Sequence, residues 1–165
     1  RRLPPKIGVP EVAFLGRSNV GKSSLLNRLT SMASKGMDGD SANDQARVGK
    51  TPGATASVNL YALLEKTKSR QSNKKNSSHD ASKMPPKPIL GFADLPGFGY
   101  AKLSKDNKKA VEEAAERYLA KRQELALGIL LVDARREPSD DDRAVLAALY
   151  DLNVPLCIVA TKVDK

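Results

Sequence analysis

A glycine-rich stretch near the amino terminus has the residue types and the spacing of a phosphate-binding loop. Residues 16–23 read Gly-Arg-Ser-Asn-Val-Gly-Lys-Ser and match the pattern G-x-x-x-x-G-K-[ST] at every fixed position. Gly16 and Gly21 would let the main chain wrap closely around phosphate groups, because a Cβ would obstruct the ligand or the backbone conformation. Lys22 would bring positive charge to the β and γ phosphates, and Ser23 would offer a hydroxyl to Mg²⁺. This stretch predicts a nucleotide site.

An acidic residue after a second apolar run could complete the phosphate end of such a site. Asp94-Leu95-Pro96-Gly97 directly follows the apolar residues 89–93. An acid at the end of a strand beside a phosphate loop can hold the water shell of Mg²⁺, and the Gly97 amide can then contact the γ-phosphate. Asp-x-Pro-Gly by itself would equally suit a turn. Its position between two other motifs favours the nucleotide site.

A third motif, near the end of the chain, could recognise a base. Thr161-Lys162-Val163-Asp164 follows the apolar run 155–160, which we expect to be a buried strand. A carboxylate at Asp164 can accept hydrogen bonds from the N1–H and the 2-amino group of guanine, a pair of donors that adenine lacks. Lys162 can lay its stem against the base and its ammonium near the sugar or the loop. The phosphate loop alone leaves kinase, ATPase and GTPase open, and this motif favours a guanine nucleotide.

The helices and strands that must position these motifs follow from hydrophobic periodicity. We expect strands near 11–15, 57–64, 89–94, 128–132 and 155–160, and helices near 22–32, 105–122 and 140–151. Their alternation predicts an α/β fold of three layers, α/β/α, around a mainly parallel sheet with the ligand at the carboxyl ends of its strands. We expect Ser139 to cap the third helix, with Asp140, Asp141 and Asp142 favouring its positive end rather than a metal.

Composition and charge restrict the class of protein further. The 165 residues suit one domain, and 40% hydrophobic residues with 4% aromatics suit an aliphatic core. Uninterrupted apolar runs of about 18 residues are absent, so we expect no membrane span. Cys157 should pack as a small hydrophobe, with a reactive thiol as the alternative.

Residues 65–88 carry much of the positive charge of the chain. They hold seven basic and two acidic residues, in a chain whose net charge is +9. We expect a disordered loop there, which would serve as a solvated spacer or as an RNA-phosphate contact.

Taken together, the motifs resemble the EngB family of GTPases, which belongs to the TRAFAC class and has the Ras-like P-loop fold. The resemblance rests on residues 16–27, 50–55, 94–101, 132–138 and 161–164, and it spans nearly the whole chain except residues 65–88. The extension Gly-Phe-Gly-Tyr-Ala at its third segment distinguishes this family from other small GTPases. Because the family pattern continues past the residues given, the last strand and helix of the fold are expected to be missing here. The absence of an initial Met leaves any targeting segment unseen.

The resemblance implies a protein that hydrolyses GTP and assists assembly of the large ribosomal subunit by nucleotide-dependent docking and release. Its partners would be GTP or GDP and the large subunit or its rRNA precursor, without a membrane, and the protein would be a monomer. It would act in the cytoplasm, or in the mitochondrial matrix or plastid stroma of a eukaryote. The alternative is an RNA-binding scaffold that holds GTP with negligible hydrolysis.

The resemblance also implies the roles of individual residues. Mg²⁺ would be held by Ser23 and Thr55, with Asp94 acting through a water; Thr51 is the other candidate, but the threonine after Pro-Gly-x is preferred. Asn19 resembles the asparagine that coordinates K⁺ in related GTPases, which makes K⁺ a second candidate ion. Phe98 stands where Ras-type enzymes carry a water-orienting Gln, so unaided hydrolysis should be slow.

The expected site therefore has three parts. The expected catalytic residues are Lys22, Asn19 and Thr55. Residues 33–56 and 97–106 are expected to be the switch segments that respond to GTP. The expected nucleotide-binding residues are Gly16, Arg17, Ser18, Asn19, Val20, Gly21, Lys22, Ser23, Gly53, Ala54, Thr55, Ala56, Ser57, Asp94, Leu95, Pro96, Gly97, Thr161, Lys162, Val163 and Asp164.

Overall fold

The computed structural model describes residues 3–35, 58–65, 87–98 and 105–164. Most of both expected switch segments, the interior of the basic stretch 65–88 and the candidate Mg²⁺ threonines lie outside these ranges. In chain order the elements are β1 (Glu11–Gly16), α1 (Lys22–Lys35), β2 (Asn59–Leu64), β3 (Pro88–Asp94), α2 (Lys105–Lys121), β4 (Leu125–Asp133), α3 (Asp140–Asp151) and β5 (Leu156–Thr161). Every strand and helix that periodicity predicts is confirmed, with ends that differ by a few residues.

The five strands form one sheet in the order β2-β3-β1-β4-β5. β2 runs antiparallel to β3, whereas β1 is parallel to both β3 and β4, and β4 is parallel to β5. After β1, the chain forms β2 and β3 on one side of β1, and α2 then leads to β4 on its other side. The direction in which successive strands are added to the sheet therefore reverses at β1. The carboxyl ends of β1, β3, β4 and β5 share one edge of the sheet, where α/β folds of this kind place their ligands.

The core lies in two layers, one on each face of the sheet. Along β1, Ala13 and Leu15 pack in a cluster with residues of α2 and α3, and Val12 and Phe14 pack in a cluster that includes Leu26 of α1. This alternation is the two-residue period of a strand buried on both faces. The α/β/α layering is confirmed, with α1 on one face and α2 and α3 on the other.

The helices bury the faces that their sequences indicate. In α2, Val111, Tyr118 and Leu119 are buried, as expected from their spacing. At the start of α3, the Ser139 side chain accepts from the Asp142 backbone, and the Asp142 carboxylate accepts from the Ser139 N–H at 2.9 Å. This reciprocal pair is a capping box, and the predicted cap at Ser139 is confirmed, with Asp142 as its partner.

The expectation for the last strand was wrong in one respect. The side chain of Cys157 is exposed, and Ile158 retains 54% of its accessible surface. β5 pairs only with β4 and forms one edge of the described sheet. Side chains of a strand point to the two faces of the sheet, and the described residues leave Cys157 and Ile158 largely uncovered on those faces.

A buried ionic cluster at the amino ends of the strands was not predicted. Glu11, the first residue of β1, is fully buried; its carboxylate accepts from Arg122 Nε at 2.8 Å, from the second guanidinium arm of Arg122 and from the Tyr118 hydroxyl. Arg122 also donates to the carbonyl oxygens of Pro4 and Pro5, at 2.8 and 3.0 Å. Burial and the hydrogen bond to Glu11 raise the pKa of Tyr118. The cluster joins the segment before β1 to the end of α2.

None of the helices in the described part of the chain combines the length and the apolar character that crossing a lipid bilayer requires.

Candidate functional site

The phosphate-binding loop joins the end of β1 to the start of α1, as its sequence predicts. Its backbone turns at three residues with positive φ angles: 144° at Gly16, 62° at Asn19 and 116° at Gly21. A Cβ on Gly16 would stand 2.7 Å from the carbonyl oxygen of Leu131 in the neighbouring strand. Glycine is therefore required at position 16 for the backbone conformation and for close packing on β4. Since α1 begins at Lys22, the free N–H groups of its first turn lie next to the loop, where an anion is favoured.

Lys22 and Asp94 meet at this loop. The Lys22 ammonium donates to the Gly16 carbonyl oxygen at 3.3 Å, which holds the side chain along the loop. Burial lowers the pKa of Lys22, and the nearby Asp94 carboxylate partly opposes that effect. A phosphate group beside the ammonium would act in the same direction as Asp94 and favour its charged form.

The segment after Asp94 packs directly on the loop. The Ser18 N–H donates to the Phe98 carbonyl oxygen at 2.9 Å. Gly97 lies so close that a Cβ there would stand 2.9 Å from Lys22 Nζ and 3.1 Å from the Ser18 nitrogen. The glycine of Asp-Leu-Pro-Gly is thus needed for close approach to the loop, and the predicted acid and glycine lie at the phosphate end of the site.

The base-recognition motif reaches the same loop from the other end of the chain. The Thr161 hydroxyl donates to the Val20 carbonyl oxygen at 2.8 Å, and the Lys162 ammonium donates to the Asn19 carbonyl oxygen at 2.8 Å. Lys162 has a φ of 59°, which turns the chain after β5 toward the loop. Val163 and Asp164 follow at the exposed surface. Motifs separated by about 140 residues of sequence are therefore brought together, as one nucleotide would require.

Asp133 completes the connection; it lies in the segment 132–138 that carries the family resemblance, but no role was assigned to it from the sequence. At the carboxyl end of β4, it accepts from Lys162 Nζ at 2.8 Å and from the Arg135 guanidinium at 2.9 Å. These hydrogen bonds, with that of Arg135 the stronger influence, hold the pKa of the Asp133 carboxyl well below its usual range. The available signal was an acid directly after an apolar strand, two residues before an arginine. Asp133 orients the lysine of the base-recognition motif.

A polar cavity of about 280 Å³ lies beside the loop. Its lining comes from the loop, from the connection between β4 and α3, and from Lys162. Four of the expected loop residues, Arg17, Ser18, Asn19 and Val20, line this cavity, whereas Gly21, Lys22 and Ser23 do not.

The remaining expected residues divide into two groups. Ser23 lies in the first turn of α1 and is exposed, while Leu95 is buried and Pro96 half-buried after β3. Gly53, Ala54, Thr55, Ala56 and Ser57 lie outside the described residues, as does Thr51. Groups of three or more His, Cys, Asp or Glu that could hold a metal are absent from the described ranges. The expected Mg²⁺ site does not depend on such a group, since it combines hydroxyls with one carboxylate.

Comparisons with known proteins agree with this geometry. Residues 11–162 match the family described as "50S ribosome-binding GTPase". The chain is 38% identical over 161 residues to "Probable GTP-binding protein EngB" of Leuconostoc mesenteroides subsp. mesenteroides, covering 98% of this chain and 66% of that protein. It is 39% identical over 161 residues to the protein of the same description from Acidobacterium capsulatum, covering 98% of this chain and 64% of that protein.

A solved structure gives the same fold. "Crystal structure of a probable GTP-binding protein engB" superposes with a TM-score of 0.57 at 20% identity, covering 94% of this chain and 72% of that one. At that identity the match supports the fold alone, a Ras-like P-loop GTPase fold. The chain spans about two thirds of the length of the curated relatives that it matches. It belongs to the family of 50S ribosome-binding GTPases, and within that family its curated relatives are the EngB proteins.

Proposed function

We propose that the protein binds GTP at the phosphate loop, hydrolyses it with Mg²⁺, and uses the two nucleotide states to dock on and leave the large ribosomal subunit during assembly. The observation that carries the nucleotide part is the pair of hydrogen bonds from Thr161 and Lys162 to the phosphate loop. These contacts support the proposal that residues 161–164 and the phosphate loop bind the two ends of a single ligand. The ribosomal part is supported by membership of a family whose description names the 50S subunit.

The base would be recognised by Asp164. Its carboxylate is exposed and follows a lysine whose position is fixed by Asn19 and Asp133. A carboxylate accepts but cannot donate, so it suits the N1–H and 2-amino donors of guanine and not the acceptor N1 of adenine. The aliphatic stem of Lys162 would cover one face of the base.

The phosphates would be held by main-chain N–H groups of the loop and by the Lys22 ammonium. The residues present also fit Mg²⁺, because a hydroxyl at Ser23 and a carboxylate at Asp94 are the hard oxygen donors that this ion prefers. Thr55 would supply the second hydroxyl, and Asn19 would be the ligand for K⁺. When bound, the metal neutralises charge that develops on the phosphate oxygens. Lys22 would add to that neutralisation from its fixed position in the loop.

The residue at position 98 favours slow hydrolysis of GTP and is also consistent with a second function, that of a scaffold. Phe98 follows Gly97, and its side chain has no amide or hydroxyl group with which to orient an attacking water. A scaffold that holds GTP and RNA without hydrolysis is consistent with that residue. Single-turnover hydrolysis by the natural protein, in K⁺ and in Na⁺ and with ribosomal subunits added, separates the two. Cleavage in any of these conditions supports the GTPase, and its absence in all of them supports the scaffold.

The guanine assignment is tested by nucleotide competition. GTP should displace a labelled GDP from the natural protein at concentrations at least about a hundredfold lower than ATP, because a mismatched base leaves the Asp164 carboxylate without its donors. Asp164→Asn should shift the preference toward xanthosine nucleotides, whose 2-oxo group accepts a hydrogen bond. Asp151→Asn, at the exposed end of α3, is the matched control and should leave the preference unchanged. Equal displacement by ATP and GTP would refute the assignment.

The ribosomal role is tested by co-sedimentation of the natural protein with large-subunit precursors. More protein should travel with the precursors in the presence of a non-hydrolysable GTP analogue than with GDP. We expect the protein to remain a monomer in the absence of these particles. Sedimentation that is the same with either nucleotide, or with none, would argue against nucleotide-dependent docking.

A further inference from the structure

Residues other than glycine have positive φ angles at three positions in the described part of the chain: 62° at Asn19, 52° at Asn153 and 59° at Lys162. This left-handed region is unfavourable for L-amino acids, because the Cβ comes too close to a backbone carbonyl oxygen. Asparagine tolerates it, since its short polar side chain can form local hydrogen bonds, whereas lysine has no short polar group. Lys162 is therefore the strained position among the three. Backbone strain of this kind persists where the surrounding structure imposes it.

Hydrogen bonds to distant parts of the chain hold Lys162 in this conformation. The preceding residue, Thr161, donates from its hydroxyl to the Val20 carbonyl oxygen at 2.8 Å. The Lys162 ammonium donates to the Asn19 carbonyl oxygen and to the Asp133 carboxylate, both at 2.8 Å. The Lys162 side chain is only 25% exposed. Its hydrogen bonds therefore tie the strained turn to the phosphate loop on one side and to the end of β4 on the other.

The two residues after the turn lie at the surface. Val163 retains 75% of its accessible surface, and Asp164 is exposed. Since little packing holds them, their direction depends mainly on the torsion angles of Lys162. A change from the left-handed region to either of the ordinary regions would rotate φ by more than about 100°. Such a change would carry the Asp164 carboxylate in a different direction from the loop.

We propose that the left-handed turn at Lys162 aims the Asp164 carboxylate at the guanine base, and that the ammonium of Lys162 maintains this turn. The inference rests on the proposed function, because it presupposes a base site at Asp164. Two parts of one residue then have separate tasks: the side chain fixes the turn, and the backbone directs the residue that reads the base. Lys162 is in this sense a positioning residue for Asp164, in addition to its contact with the base.

The backbone and the side chain are separated by comparing Lys162→Gly with Lys162→Ala. Both changes remove the ammonium and the aliphatic stem, but only glycine adopts a positive φ without a steric cost. In the free alanine variant the exposed segment should relax, so that GDP binding has to restore the turn. We therefore expect Lys162→Gly to bind labelled GDP about fivefold more tightly than Lys162→Ala, although glycine is the more flexible residue. Both should bind GDP more weakly than the natural protein, and fluorescence titration measures all three.

Two ligand and variant controls connect this difference to the base. Inorganic tripolyphosphate has no base, so Lys162→Gly and Lys162→Ala should bind it equally. Adding Asp164→Asn to each variant should remove the advantage of glycine for GDP, because no carboxylate is then left to aim.

Asn153 is the matched control for the backbone. It has nearly the same φ and lies in the exposed turn between α3 and β5. Asn153→Gly and Asn153→Ala should differ in urea unfolding, with alanine the less stable, for the same steric reason. The two variants should bind GDP equally, since this turn directs no residue of the base site.

Three outcomes would overturn the proposal. Equal GDP affinities of Lys162→Gly and Lys162→Ala, with a difference in unfolding alone, would mean that the turn is merely structural. The same difference with tripolyphosphate would mean that the turn acts on the loop, and its survival in the Asp164→Asn background would mean that another group reads the base. Competition between GDP and ADP for the natural protein distinguishes the two levels. Without a preference for GDP the proposed function fails, whereas a clear preference together with equal variants refutes only the role of the turn.

Discussion

At the scale of single residues, Asp133 is one of the two acceptors that hold the ammonium of Lys162. Its carboxylate joins the end of β4 to the ammonium of Lys162, which also holds the phosphate loop at Asn19. An ammonium group with two fixed acceptors is oriented before any ligand arrives, and such preorganisation reduces the ordering entropy lost on binding. We therefore expect Asp133 to be a positioning residue for the proposed base site.

We expect Asp133→Asn to weaken GDP binding about two- to fivefold, because an ion pair near the protein surface contributes about 1 kcal/mol or less. Asp140→Asn is the control, since Asp140 forms an exposed pair with Arg143 at 3.1 Å on α3, away from Lys162. Stopped-flow release of labelled GDP measures the effect, which should appear as faster release. Release that is unchanged by Asp133→Asn would remove the positioning role.

The pH dependence of this effect follows from the lowered pKa of the Asp133 carboxyl. A carboxyl with a lowered pKa in the folded protein contributes its stabilisation above the ordinary value near 4 and loses it only as the pH falls through the lower folded pKa. The ratio of GDP affinities, natural protein to Asp133→Asn, should therefore be constant between about pH 5 and pH 8. A ratio that changed across that range would show that a different group titrates.

At the scale of elements, the ionic cluster of Glu11, Tyr118 and Arg122 holds the end of α2 against the start of β1. The side chains of Glu11 and Arg122 are 0% and 2% exposed, so neither charge has access to water. α2 follows the segment that contacts the phosphate loop, and its far end is fixed at the opposite edge of the sheet. We expect any rearrangement of this helix on nucleotide binding to pivot about that end.

Arg122→Met should lower the free energy of unfolding by about 3–5 kcal/mol, because it leaves the Glu11 carboxylate buried without its cation. Replacing both partners, as in Glu11→Gln with Arg122→Met, should cost less than the sum of the single changes. Urea unfolding measures both, with Arg143→Met as an exposed ion-pair control expected to change little. Additive losses would mean that the two charges do not depend on each other.

At the scale of the whole molecule, the nucleotide would connect parts of the chain that are far apart in sequence. The phosphate loop, the end of β3, the end of β4 and the residues after β5 meet at one edge of the sheet. A ligand that contacts all of them binds the folded state and not the unfolded chain, so it must stabilise the fold as a whole.

GDP with Mg²⁺, at about one hundred times its dissociation constant, should raise the free energy of unfolding of the natural protein by about 2.7 kcal/mol. ATP at the same concentration should raise it far less, and Asp164→Asn should abolish most of the effect of GDP. Thermal melting under each condition measures this difference. Equal stabilisation by GDP and ATP would contradict a base site at Asp164.

The sequence by itself determined the local elements and the chemistry of the motifs. Gly16 to Ser23 specify their turn through glycine conformation and their ligand through charge, and both properties belong to the residues themselves. The periodicity of α2 and the cap at Ser139 were likewise predictable, because they depend on neighbours within one or two turns. The family followed from the same motifs.

Only the tertiary structure decided which distant residues meet. The contacts of Lys162 with Asn19 and Asp133 and the burial of Glu11 with Arg122 involve residues far apart in the chain. Strand order and register determine such contacts, and a local pattern carries no information about either. An acid at the start of a strand looks the same in sequence whether it is solvated or buried with an arginine 111 residues later.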